Sequence, residues 1–466
     1  MTRGVNAWKA AAVAPGLAIT SGYEEESIFA VWRAAHGQAV YADPTRLPFA
    51  SSYFNWLFYA SYAVPVKDAA NGTDDAAFLR TSRLLTALGA LLGTGCLFWL
   101  LRQALPHWPL AAGGMATYVF FGPLIGWWAH TVRPDVWALA LETTALVVLL
   151  LTYRRRPFAA VLASCLLFYG AWSFKQTYFM GLGTAILFLA VRRQWRLAVL
   201  LGVGSVALWT TTFLALGPAY RESFYATGTT NIFYLSRGFR NLRDLLPKTV
   251  PLWLLVTAFL IKRNPATDPA GPPVAADVRL LGLLGLSLSL PLAFAASCKV
   301  GALSNYYFTS ITMLALFSTG LIATREMPKL VLLGFVTAAG LQLLVLAGRA
   351  GKISLTPQAS ALAATWNVWR PEPEPRFSAA TILNQPWLNP GSPPLVLAFN
   401  YPLDRRAGRS FEGGGVGGLI TAGYFRALLL PAAVKDDYDG GSLRQYVRGA
   451  TINGLTLFRR QALPAK

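Results

Sequence analysis

The chain has 466 residues, 54% of them apolar and only 13% charged, with a mean hydropathy of +0.43. A soluble domain carries roughly 25% charged residues, so a water-soluble globular protein is excluded, and the apolar content excludes a disordered chain. The 41 Lys and Arg against 21 acids give a net charge of +20, an excess that the cytoplasmic loops of a membrane protein and a basic C-terminal tail account for without nucleic acid.

In chain order, the first apolar stretch is 7–20, short of the roughly 20 residues that span a bilayer. It is read as a marginal first helix, with no cleavable signal peptide. Further spans are expected near 84–101, 110–128, 135–152, 157–174, 177–191, 196–216, 249–261, 280–297, 303–322 and 329–347. The total is about eleven transmembrane helices. Arg102, Arg154 to Arg156, Arg192, Arg193, Arg196, Lys262, Arg263, Arg325 and Lys329 fall in every second loop. That alternation places those loops and the N-terminus in the cytoplasm and the C-terminal tail outside.

Three outer segments remain: 21–83, 217–248 and the tail. The membrane domain is therefore assigned to 1–348, followed by a Pro-containing linker at 349–378 with the run WRPEPEPRF. Residues 379–466 alternate short apolar runs (LVLAF 395–399, ALLLP 427–431, LTLF 455–458) with polar stretches, which predicts strands of a small extracytoplasmic α/β domain. The FEGGGVGG run at 411–418 lacks the GK[ST] ending of a phosphate loop and reads as a flexible loop. Cys96, Cys165 and Cys298 have no CxxC partner, and His36, His107 and His130 are scattered. No disulfide framework, metal or cofactor is expected.

Glu24, Glu25 and Glu26 open the first outer segment. They begin an amphipathic stretch in which Ile28, Val31, Trp32 and Ala35 share a helical stripe, with Glu24 on it. A partly desolvated carboxylate at the membrane edge has a raised pKa and suits a general base; acids at a helix N-terminus also simply favour its dipole. Further on, His130, Arg133, Pro134 and Asp135 join two spans on the outside, with Glu142 seven residues along on the same face as Asp135. Glu142 is expected to face the bundle interior or a wet cavity. Arg133 suits either an ion pair with Asp135 or an anionic head group. Lys175 and Lys299 lie at outer edges where the positive-inside rule does not place them; snorkelling and phosphate binding both fit. Arg237, Arg240 and Arg243 repeat at helical spacing. Asn305 and Tyr306, in SNYYF, suit an aromatic belt or sugar contact.

Several segments together resemble the GT-C superfamily of multi-spanning glycosyltransferases, in particular members related to protein O-mannosyltransferases and the aminoarabinose transferase of lipid A. They are YEEES, then HGQAVYADP at 36–44, similar to a G-x-x-x-Y-x-D pattern, then SSYFNWLFYASY, RPD at 133–135, FKQT at 174–177 and SNYYF at 304–308. Their order over most of 20–350 carries the resemblance, and ITAGYFRALLL and GLTLFRR in the tail add to it. The resemblance implies an α-helical polytopic membrane protein of GT-C type. It implies inverting transfer of a sugar from a polyprenyl-phosphate donor to an acceptor hydroxyl of a glycan, lipid or protein, at the outer face of a bacterial plasma membrane. Glu24 and Glu25 then correspond to the family's acidic pair, with Glu26 the third candidate for the base. Arg133 and Lys175 would hold phosphate, and Tyr41 and Asp43 would shape the loop. Tyr53, His130, Asp135, Asn305 and Tyr306 are the remaining candidate substrate-binding residues. The chain departs from the pattern in having Glu where most relatives have Asp, and Phe54-Asn55 where a Pro is usual. The alternative reading is a transporter or flippase, which predicts internal repeats and midplane sites; no convincing repeat is found and the unusual charges lie toward one side.

Overall fold

A computed structural model of the chain describes residues 24–71, 75–229, 232–261, 272–323, 335–337, 339–342, 356–389, 391–392, 395, 401–406 and 408–461. The expected span at 7–20, most of 329–347 and the strand expected at 395–399 beyond Leu395 lie outside the described residues.

The membrane part is helical. Its helices are α1 (Glu24–Ala35), α2 (Trp56–Asn71), α3 (Asp75–Ala104), α4 (Pro109–Phe121), α5 (Asp135–Thr152) and α6 (Pro157–Phe174). They continue with α7 (Met180–Val191), α8 (Trp195–Ala215), α9 (Gly217–Thr229), α10 (Leu235–Ile261), α11 (Pro273–Ser297) and α12 (Phe308–Ala323). Among the described residues, six helices are long and apolar enough to cross a membrane: Ala77–Ala104, Asp135–Thr152, Pro157–Phe174, Trp195–Ala215, Pro273–Ser297 and Ser304–Ala323. α4 and α7 are apolar but shorter. The chain is a multi-pass membrane protein. Leu91, Leu162 and Val203 stay exposed on bundle surfaces, as a lipid solvent requires.

Two boundaries differ from the sequence reading for backbone reasons. The run at 110–128 is split, with α4 ending at Phe121 and a 3-10 turn following at Gly126–His130; Pro123 cannot extend the ladder. Conversely, α10 runs through Pro247 and Pro251, joining part of the second outer segment to the span expected at 249–261. Pro251 has no N–H for the carbonyl of Pro247, and the Gln342 side-chain amide donates to that carbonyl instead. Tyr118 Oη donates to the next one, Lys248, at 2.6 Å.

Glycine permits the tightest helix contact. A Cβ on Gly282 would lie 2.3 Å from the Phe317 nitrogen, and one on Gly320 would lie 2.5 Å from the Arg279 Cα. α11 and α12 thus touch backbone to backbone, the small-residue packing that dispersion favours in lipid.

The tail contains α13 (Thr356–Trp369), β1 (Arg376–Ser378), α14 (Tyr401–Arg406), α15 (Gly415–Thr421), β2 (Ala427–Pro431), β3 (Asp437–Tyr438), β4 (Gly441–Ser442), β5 (Tyr446–Ile452) and β6 (Leu455–Arg460). The main sheet has the order β1-β2-β6-β5, with β1 parallel to β2 and the other pairs antiparallel. β2 is buried on both faces. Leu428 and Leu430 pack with Val416, Ile420 and Phe458, while Ala427 and Leu429 pack with Trp369, Ile382 and Leu457. That explains its continuous apolar sequence. The sheet takes in Arg376–Ser378, upstream of the boundary drawn at 379. The FEGGGVGG run corrects the loop reading: it forms a 3-10 turn at Glu412–Gly414 and then α15. Gly417 must be bare, since a Cβ there would meet the Asp439 carbonyl at 2.0 Å.

One residue of the first outer segment belongs to the tail's core. Phe49 is fully buried among Tyr401, Phe411 and their neighbours, with ring centroids 5.8 Å and 5.7 Å away. It is held at a φ of 56°, a region bulky residues avoid. Beside it, Leu47 N–H donates to Glu412 Oε2 at 3.2 Å and Glu412 N–H to the Thr45 carbonyl at 2.8 Å. Phe49→Ala is expected to cost about 3–5 kcal/mol of the docking between segment and tail. Limited proteolysis between 370 and 376 checks this, and a wild-type cleavage rate in the variant counts against it.

Candidate active site

The site is assembled at one end of the bundle by the ends of α5, α6 and the turn before α12. A bend over Thr131 to Pro134 leads into α5, whose first residue is Asp135. Asp135 is fully buried, and three groups converge on it. Lys175 Nζ, just past the end of α6, donates to Oδ1 at 2.5 Å. Asn305 Nδ2, from the 3-10 turn Ser304–Tyr307, donates to the same oxygen at 2.8 Å. The Arg133 guanidinium lies 3.3 Å from Oδ2. Aromatic rings pack about the cations: Arg133 lies over Trp128 at 4.4 Å and Phe54 at 5.3 Å, and Lys175 over Tyr306 at 5.4 Å and Phe54 at 5.8 Å. Such faces stabilise desolvated cations.

Arg133 and Lys175 bring two positive charges to one carboxylate, and Lys299 is close enough for its charge to act on Lys175. Burial lowers the pKa of Lys175, Asp135 opposes that shift, and Arg133 and Lys299 add to it. Burial also lowers the pKa of Lys299. A desolvated pair of cations sharing one carboxylate suits a phosphate group.

The three glutamates open α1, and the structure separates them. Glu24, on the stripe with Ile28, Val31 and Ala35, is fully buried. Arg83 of α3 grips both its oxygens at 3.2 Å, and Val132 N–H donates to Oε1 at 3.0 Å. That last bond ties the acidic turn to the residue preceding Arg133. Glu25 faces the tail: Thr381 Oγ1 donates to its Oε2, and Gln385 Nε2 donates to its backbone carbonyl at 3.2 Å. Burial, and then the charge of Glu24, raise its pKa to about 7. Glu26 is partly buried, and its charge acts on Tyr59.

The other expected residues are mostly scaffolding. Tyr41 Oη donates to the Phe54 carbonyl at 3.0 Å, and Gln176 Nε2 donates to the Tyr53 carbonyl at 2.8 Å. Together they set the segment carrying Phe54 against the cations. Asp43 caps its own turn, accepting from Thr45 N–H at 2.8 Å and Thr45 Oγ1 at 2.7 Å. It does not join the cluster. His130, half-buried at the end of the 3-10 turn, has its pKa lowered first by burial, with the nearby Arg83 charge contributing. Among the described residues no cluster of His, Cys, Asp or Glu could hold a metal ion.

Sequence reasoning passed over Trp128 and Arg83. Phe54-Asn55 stood out as a departure, and the structure gives that pair a task. Asn55 Nδ2 donates to the Trp172 carbonyl at 2.8 Å, and its Oδ1 accepts from Tyr220 at 2.5 Å. No local pattern marks Arg83, which lies 59 residues from Glu24. Glu142, expected to face inward, does so within α5. It accepts from Gly181 N–H at 2.7 Å, in the open first turn of α7, and from Thr309 Oγ1 at 2.6 Å.

No protein-family model and no curated protein sequence matches the chain. Among solved structures, ArnT from Cupriavidus metallidurans bound to undecaprenyl phosphate is similar at a TM-score of 0.60 and 13% identity, covering 98% of this chain and 97% of that one. The same protein in the apo state is similar at a TM-score of 0.58 and 12% identity, covering 98% and 96%. The chain has the fold seen in ArnT.

Proposed function

We propose that this protein is an integral-membrane glycosyltransferase that moves a sugar from a polyprenyl-phosphate donor to an acceptor hydroxyl at the outer face of a bacterial plasma membrane. The observation that carries this reading is the buried Arg133–Asp135–Lys175 cluster, two cations on one carboxylate, joined through Val132 to the acidic turn of α1. The fold neighbour binds a polyprenyl phosphate, which supports the same ligand class here. The opposite end of α5 is about 27 Å away by helix rise. There Arg154 and Arg192 clasp Asp277, and the neighbouring loops carry the other clustered arginines, which supports a cytoplasmic assignment for that end.

In this reading Arg133 and Lys175 hold the donor phosphate, with Asp135 and Asn305 fixing their positions beforehand. Glu25 is the base. It takes the proton of the acceptor hydroxyl as that oxygen attacks the anomeric carbon from the face opposite the phosphate. The bond from anomeric carbon to phosphate oxygen breaks, and polyprenyl phosphate leaves with one more negative charge, which the two cations stabilise. One displacement inverts the configuration. Glu24 is not assigned this task because Arg83 neutralises it and occupies both oxygens.

The test is binding of undecaprenyl phosphate to the purified protein by native mass spectrometry, with polyprenyl-phosphate sugar turnover measured in parallel. Replacing both Arg133 and Lys175 with Ala is expected to weaken binding about 100-fold, the worth of about two charge-assisted hydrogen bonds. Wild-type affinity in a folded double variant overturns the assignment. Counterflow of a lipid-linked glycan in proteoliposomes without sugar transfer favours a flippase instead.

A further inference from the structure

The catalytic assignment places the base on α1, yet the groups that hold Glu25 come from the other end of the chain. Thr381 and Gln385 lie in and just after the 3-10 turn Thr381–Asn384 of the C-terminal domain, more than 350 residues from Glu25. The contact is anchored. Phe49 sits in the tail's core, and Trp387 packs against Phe78 of α3 with ring centroids 5.5 Å apart. Arg409 pairs with Glu222 of α9 at 3.3 Å. The turn is rigid as well. Asn384 Nδ2 donates to the Ser378 carbonyl at 2.7 Å, and Ser378 N–H donates to Asn384 Oδ1 at 2.8 Å. Thr381 is therefore presented to α1 from a braced support.

Gln385 adds an independent sign. Its side chain is fully buried, and while Nε2 is spent on the Glu25 carbonyl, Oε1 has no hydrogen-bond partner among the described residues. An orphaned buried acceptor is rare and calls for an explanation. An incoming hydroxyl donor supplies one, and an acceptor sugar or lipid alcohol carries such donors.

We propose that the C-terminal domain is a working part of the reacting centre, with Thr381 as the positioning residue of the Glu25 carboxylate and Gln385 holding the backbone behind it, at the junction where the acceptor hydroxyl arrives. This rests on Glu25 being the base. Among the described residues the charge that acts on Glu25 is that of Glu24, on the same turn, which is itself paired with Arg83 from α3. The tail contributes Thr381 and Gln385, neither of which titrates. The Thr381 hydroxyl donates to the ionised form of Glu25 and so favours it. Its loss moves Glu25 further toward the protonated acid.

The experiment compares full-length wild type, Thr381→Val and Thr381→Ser. In Thr381→Val the rise of turnover with pH is expected to shift upward by about one unit, with roughly a tenfold loss on the acidic limb and a plateau rate within about threefold of wild type. Thr381→Ser restores the wild-type profile. A purely structural role lowers the rate at all pH values alike and is not rescued in this way; that result overturns the proposal. Infrared difference titration of the carboxylic C=O band, with Glu25→Gln as the blank, follows Glu25 without reference to turnover. If Glu25→Gln retains full activity, the assignment of the base fails, and the infrared titration still decides on Thr381. An unshifted band in Thr381→Val overturns the positioning role.

Discussion

Glu25→Gln is expected to abolish most sugar transfer while leaving polyprenyl-phosphate binding intact. The expected loss is about 10²–10⁴-fold in kcat, the usual contribution of a positioned general base, with Kd for undecaprenyl phosphate within about twofold. The split follows from the geometry, because the phosphate cluster gathers on Asp135 and the glutamate sits on the tail side of α1. The pH dependence carries the same signature. Burial and the Glu24 charge hold the Glu25 carboxyl at about 7, and a base works only when deprotonated. Turnover therefore rises with pH through about 7 and levels above it. The linkage to stability has the opposite sign. A carboxyl raised from 4.5 to about 7 on folding makes the folded state bind a proton that the unfolded chain has released, so stability falls across that window as pH rises. Wild-type turnover in Glu25→Gln, or a profile flat from about pH 5.5 to 8.5, counts against the assignment. Glu24→Gln differs in kind: Arg83 loses its charged partner, and the effect appears in thermal stability.

Asp135→Asn gives the second large effect, on stability and ligand response together. The carboxylate is fully buried and is the common partner of Lys175 and Arg133. Breaking a buried ion pair by removing one partner costs roughly 3–5 kcal/mol, since the remaining charge stays desolvated. The midpoint of thermal unfolding in detergent therefore falls. A phosphate bound at the same cations replaces the missing negative charge, and ligand that binds only the folded state stabilises it in proportion to its affinity. Undecaprenyl phosphate is then expected to raise the midpoint of Asp135→Asn by more than it raises that of the wild type. A smaller rise in the variant shows that the cations serve Asp135 alone.

How much of this was legible depends on whether the determinant is local. The stripe of Ile28, Val31 and Ala35 with Glu24 upon it was readable because helical spacing alone fixes which residues share a face, and these four are buried together. Strands β2 and β6 were readable from their apolar runs. Arg133 drew attention as a partner for Asp135 or for an anionic head group, and Lys175 as a cation on the wrong side of a topology rule. The convergence of Lys175 and Asn305 on Asp135 depends on how three helix ends meet, and no spacing along the chain encodes that. The grip of Arg83 on Glu24 was hidden for the same reason. α15 was missed because glycine is a poor helix former and its positions there are set by close contact with the β3–β4 turn.

The burial of Phe49 in the tail's core bears on how the molecule can be taken apart. The sheet domain is continuous in sequence only from the end of the membrane part onward, but one side chain of its interior is encoded more than 300 residues earlier. Expressed alone, the tail would expose the hole that Phe49 fills, lined by Tyr401 and Phe411. A chimera exchanging tails between relatives would have to carry residues 43–49 with the graft, or it would join two surfaces that do not match. The unit of exchange in this fold is a tail with its own piece of the first outer segment.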